Sequence, residues 1–112
     1  MDISFSDNKF EKLANDQRLL QKAYGQIGAN FIKKRLDDLR AAKTLEDCKK
    51  LPGKYHELTE NRKGQLATHV EQPNRLIFKP TNDPIPLNDN GGLDWSKVTS
   101  IEIIEVTNYH GK

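Results

Sequence analysis

A chain of 112 residues, 35% hydrophobic and 30% charged, is long enough for one domain with a single compact core and too short for two. Its apolar residues recur at helical and strand periods, which argues against disorder, and no run resembles a secretion signal or approaches a membrane span, so a soluble, cytoplasmic protein with no membrane partner is expected. The formal net charge is only +2, but residues 1–55 hold 12 Lys+Arg against 8 Asp+Glu, residues 56–112 hold 6 against 8, and the stretch from Arg62 to Lys79 sets four cations against Glu71 alone, a positive island that permits a polyanionic partner.

In chain order, "DISF" alternates apolar and polar residues and predicts a short edge strand. "SDNKF" offers Ser6 or Asp7 as an N-cap for a helix whose stripe is Phe10, Leu13, Leu20, Tyr24 and Ile27. Gly25 and Gly28 interrupt that pattern, and Phe31, Ile32, Leu36, Leu39 and Ala42 form a second stripe, so two helices in an antiparallel hairpin are expected. "TLED" places Thr44 as an N-cap with Asp47 three residues on, a capping box opening one or two turns that stop before Pro52 and Gly53. Cys48 falls within those turns. As the only cysteine in the chain, it has no internal disulfide partner and no CxxC pattern, and reads as a small packing residue.

The period then changes to two. "YHELTE", "QLATHVEQ" and "RLIFKP" are strand-like runs separated by "NRKG" and "PN", which predict tight hairpin turns and a meander. The segment from Pro80 to Ser100, rich in Pro, Gly, Asn and Asp, reads as an inserted loop, and "SIEIIEVT" as a final β-branched strand. The expected architecture is α+β: two or three N-terminal helices packed on a small antiparallel sheet.

Several chemistries lack a motif. His56, His69 and His110 are far apart and have no i, i+4 partners, so no metal is expected; P-loop, GxSxG and GxGxxG patterns are missing, so neither acyl transfer nor a bound cofactor is expected. Hairpin geometry can nevertheless gather a basic, imidazole-bearing face. His56 begins a strand, Arg62 and Lys63 sit in a turn, Arg75 and Lys79 share one solvent-facing side four residues apart, and Tyr109 and His110 end the last strand. Such a face suits RNA cleavage, in which a base takes the 2′-OH proton, cations stabilise the attacked phosphate and an acid protonates the leaving 5′-oxygen. Each of these residues also has an ordinary structural role available, and His69 reads as a solvent-facing strand residue.

The order of "SFSDNKFEKL", the helical pair, "LPGKYHELTENRKGQLATHV", "NRLIFKP" and "VTNYH" resembles the RelE/ParE superfamily of bacterial toxins, most closely the HigB-type killer proteins. The resemblance covers nearly the whole chain and fails mainly in the Pro80 to Ser100 segment. It implies a RelE-like fold and a ribosome-dependent mRNA endonuclease that inhibits translation, monomeric when free and restrained by a HigA-like helix-turn-helix antitoxin. It also implies that His56, Arg75, Tyr109 and His110 are catalytic, with Lys79 and Asn108 at the RNA, where the turn residues Arg62 and Lys63 of the basic face read above would join them. Asn108 departs from the family, where an acidic residue is usual; an amide neither orients a partner as an anion nor serves as a base. A ParE-like gyrase inhibitor and a degenerate member that only binds its antitoxin are the alternatives.

Overall fold

A computed structural model describes residues 1–108; Tyr109 and His110 lie outside the described residues. Strand β1 (Asp2–Phe5) leads into helices α1 (Asn8–Ala14) and α2 (Gln17–Ala41), then β2 (His56–Glu57), β3 (Leu66–His69), β4 (Arg75–Pro80) and β5 (Ser100–Thr107). The five strands form one sheet in the order β1-β5-β4-β3-β2. β1 runs parallel to β5 and the other neighbours pair antiparallel, so the fold is α+β with N-terminal helices on a mostly antiparallel sheet. Among the described residues no helix is long and apolar enough to cross a membrane.

The helical layer differs in detail from the sequence expectation. Asp7 caps α1 by accepting from the Lys9 amide, but Asp16 caps a second helix by accepting from the Arg18 and Leu19 amides, so the expected first helix is broken at Asn15 and Asp16. A short carboxylate satisfies otherwise orphaned amides, and this second cap outweighs the continuing apolar stripe. The anticipated break at Gly25 is present: its φ of 76° and ψ of 168° interrupt α2, a conformation that glycine adopts at no steric cost. Beyond it the buried positions are Gly28, Ala29, Ile32, Arg35, Leu36 and Leu39. Ile27 and Phe31, expected in the core stripe, are 61% and 38% exposed, because the interruption resets the phase of the buried face.

Core-facing strand positions are Ile3, Phe5, Leu66, Leu76, Phe78, Ile101 and Ile103, clustered with Leu20, Ile32, Leu36 and Leu39 of α2. Ile103 pairs with Phe78 and Glu105 with Ile77, leaving Ile104 as an extra residue in β5. This bulge keeps Val106 packed against the core and Glu105 on the opposite face; strict alternation from Ile101 would have turned Glu105 inward. "YHELTE" contributes only two strand residues before the 3-10 turn Glu60–Arg62; the Leu58 amide makes the last cross-strand bond, to the Gln65 carbonyl, and from Thr59 the chain turns.

The Pro80 to Ser100 segment is anchored, not a loose insertion. Trp95 and Val98 are buried in the core, the Leu45 amide donates to the Val98 carbonyl (3.1 Å), and Trp95 Nε1 donates to Glu57 Oε2 (2.8 Å). Asn82 holds the return of the chain by accepting from the Thr99 amide (3.0 Å) and donating to Thr99 Oγ1 (3.0 Å). Ile85 and Leu87 remain exposed.

Candidate active site

The site begins with a turn. Gly53 has φ 127°, and a Cβ there would lie 2.5 Å from Thr68 Oγ1 and 2.7 Å from Arg35 Nε, so only glycine fits. Its carbonyl accepts from the His69 amide (2.7 Å) and from Thr68 Oγ1 (2.9 Å), pinning the turn to the end of β3. The chain then enters β2, where His56 pairs with Ala67. Side chains two apart on a strand share a face, so His69 joins His56 on the sheet face opposite the main core. Their ring centroids are 6.1 Å apart at an interplanar angle of 83°.

Each imidazole is oriented by a hydrogen bond at Nδ1. That of His56 lies 2.7 Å from the Lys54 carbonyl oxygen; because a carbonyl only accepts, Nδ1 donates and the neutral ring carries its lone pair on Nε2. That of His69 lies 3.0 Å from Gln72 Nε2. The main chain of His69 is clamped on both sides, by Gly53 as above and by Arg35 Nε donating to the His69 carbonyl (2.8 Å). Burial holds the His69 pKa below the ordinary histidine value, helped by the positive charges of Arg75, Lys54 and Arg35 and by that of His56 when it is protonated. Those neighbours favour an anion at this point of the surface.

Arg75 pairs across β3 and β4 with His69, but it is not on a solvent face as the sequence suggested. It is only 6% exposed, and its Nη1 donates to Gln72 Oε1 (3.1 Å), the Pro73 carbonyl (2.8 Å) and the Asn74 carbonyl (3.1 Å). The turn between β3 and β4 folds its acceptors around the guanidinium, a demand set by the turn and invisible in strand periodicity. On the other side Arg75 pairs with Thr107, so exposed Asn108 directly follows the strand position beside it.

The remaining expected cations are dispersed. Arg62 donates to Gln65 Oε1 (3.0 Å) and to Glu105 Oε2 (2.9 Å), and with His56 it borders a cleft of about 490 Å³. Lys79 is ion-paired with Glu102 at 3.6 Å and stands roughly 13 Å along β4 from Arg75 at about 3.3 Å per residue. Lys63 and Lys79 line an adjoining, largely apolar groove with Leu58, Leu66, Ile85 and Leu87, which shares Glu57 to Glu60 with that cleft. The structure therefore gathers His56, His69 and Arg75, with Arg35 and Lys54 near His69, leaves Arg62 at the margin, and puts Lys63 and Lys79 in the adjoining groove. His69, Gln72, Lys54 and Arg35 were missed by sequence reasoning. The one available signal was register: a "PN" turn between "QLATHVEQ" and "RLIFKP" brings His69 opposite Arg75. Among the described residues no group of three His, Cys, Asp or Glu is placed to hold a metal ion.

Comparison of the chain with protein-family models, with curated proteins and with solved structures found no match.

Proposed function

We propose that this protein is a HigB-type toxin of the RelE/ParE superfamily, a ribosome-dependent mRNA endonuclease acting in the cytoplasm and restrained by a HigA-like helix-turn-helix antitoxin. The observation that carries the reading is the fixed polarity of His56: Nδ1 donates to the Lys54 carbonyl (2.7 Å), so Nε2 is the basic nitrogen, in a neighbourhood of cationic side chains. In the reaction His56 takes the 2′-OH proton, the 2′-oxygen attacks the adjacent phosphorus, and the P–O5′ bond breaks to leave a 2′,3′-cyclic phosphate. The leaving 5′-oxygen receives a proton from an acid, a role we assign to His110, which the resemblance implies is catalytic together with Tyr109.

Primer extension on mRNA, with and without ribosomes, tests the reading. We expect codon-positioned cuts only with ribosomes, and His56→Ala to lower cutting by about 10² to 10⁴, the contribution of a positioned base. Intact mRNA in the presence of active ribosomes and soluble toxin overturns it. The antitoxin-binding alternative draws support from one feature: Arg62 and Lys79 face carboxylates of β5. A gyrase supercoiling assay run alongside tests the ParE-like alternative.

A further inference from the structure

We propose that His69 is a further catalytic residue, a hydrogen-bond donor to the phosphate under attack, and that Arg75 and Gln72 are positioning residues that fix the direction of its hydrogen bond. The inference rests on the endonuclease reading and adds to it a residue that neither the resemblance nor the sequence pattern singled out.

The argument is one of hydrogen-bond polarity passed along a chain of contacts. A guanidinium has only donors. Arg75 Nη1 lies 3.1 Å from one end of the Gln72 amide, so that end must be the carbonyl oxygen. The other end, the NH₂ group, lies 3.0 Å from His69 Nδ1, so Nδ1 must accept. Neutral His69 is thereby the Nε2–H tautomer, the reverse of His56, whose Nδ1 donates to the Lys54 carbonyl. Two rings 6.1 Å apart are thus set with opposite sense, one offering a basic Nε2 and the other an Nε2–H.

Protonating His69 at Nδ1 would set two donors against each other and would require the Gln72 amide to rotate, which in turn would present its NH₂ to Arg75. Burial and the charges of Arg75, Lys54 and Arg35 oppose the same protonation, and so does His56 once it has taken up a proton. The backbone is held as well, by the Gly53 carbonyl on one side and Arg35 on the other. A donor kept neutral and oriented in advance is what a phosphoryl oxygen gathering charge in the transition state requires. His69 transfers no proton: the 2′-OH proton goes to His56 and His69 only shares its Nε2–H with a non-bridging oxygen.

Imidazole ¹⁵N shifts of the full-length protein test the relay without reference to activity. We expect His69 to show a pyridine-type Nδ1 and a pyrrole-type Nε2 at neutral pH. In Gln72→Glu the carboxylate accepts from both Arg75 and Nδ1–H, so the tautomer should invert and His69 should titrate at higher pH than in the wild type. That variant then keeps its donor only while His69 is protonated, so its ribosome-dependent cleavage relative to wild type should fall at least tenfold as the pH rises from 6 to 9. His69→Leu should lose about 10² to 10³ in cleavage, the usual effect of removing one transition-state donor, and His69→Gln, whose amide can donate, should retain more. A wild-type His69 carrying its proton on Nδ1 overturns the relay. Undiminished cleavage by folded His69→Leu overturns the catalytic assignment alone, whereas intact mRNA with the wild-type protein overturns the endonuclease reading beneath it.

Discussion

Three acceptors of one turn converge on a single nitrogen of Arg75, which makes this residue a structural element as well as part of the site. Removing it leaves partly buried carbonyls without a strong donor, and each such loss costs about 1–3 kcal/mol. With two carbonyls so affected, Arg75→Ala should lower unfolding free energy by roughly 2–6 kcal/mol in urea titration, whereas a purely phosphate-gripping arginine would leave stability unchanged. His69 gives a second prediction at this scale. Its pKa is depressed in the folded state and near 6.5 in the unfolded chain, so the unfolded state binds more protons as the medium acidifies. The His69 contribution should be flat above about pH 6.5 and should reduce stability as pH falls through and below that value. Urea midpoints at pH 5 and pH 7.5 should differ more in the wild type than in His69→Gln; an equal or smaller difference in the wild type would sink the assignment. His56 and Arg75 were visible in the sequence as residue types at suggestive places. The depressed His69 was not, because its surroundings come from three separate stretches of chain, at Arg35, Gly53–His56 and Gln72–Arg75.

Strand β5 was legible from end to end in "SIEIIEVT", since β-branched content and flanking turn residues mark a strand locally. The doubled isoleucine at 103 and 104 is also a local sign of the bulge, because two consecutive apolar residues inside an alternating run must break the alternation or expose one of them. Harder to see were the cap at Asp16, which competes with an uninterrupted apolar stripe, and Trp95, which anchors a segment whose Pro, Gly and Asn content conceals any period. The bulge supports a prediction that belongs to the element. Deleting Ile104 restores strict alternation: Ile103 still faces Phe78, Glu105 still faces Ile77 and Val106 still faces Leu76. The deletion should fold, with an unfolding free energy within roughly 1.5 kcal/mol of wild type, the range of well-tolerated core changes. It also removes the local bend and added twist just before Thr107 and Asn108, so cleavage should suffer more than stability. Collapse of the fold on deletion would show that Ile104 carries packing that the pairing pattern does not reveal.

At the scale of the molecule, the positive island between Arg62 and Lys79 is a property of the sequence that the fold largely cancels. β5 returns beside β4 and delivers Glu105 to Arg62 at 2.9 Å and Glu102 to Lys79 at 3.6 Å, while Arg35 and Arg75 are 7% and 6% exposed. Strand order, which no local window contains, thus decides how much of the charge meets solvent. This stretch of the surface thus keeps few cations to neutralise phosphates, so the isolated protein should bind single-stranded RNA weakly through it. Neutralising about two phosphates gives a slope of log affinity against log salt of about −1.4, at roughly −0.7 per phosphate. A slope steeper than about −3.5, equivalent to roughly five phosphates, would mean that a broad basic surface operates after all. The carboxylates themselves are the control. Glu102→Gln with Glu105→Gln releases both cations at the cost of two surface ion pairs, each worth little to stability, so the double variant should stay folded. Its RNA affinity should rise and its slope should steepen by about 1.4, two further phosphates' worth. If binding is instead unchanged in affinity and slope, Arg62 and Lys79 do not reach the RNA path, and the endonuclease proposed above would have to receive mRNA at His56 and His69 from the ribosome with no grip from these two cations.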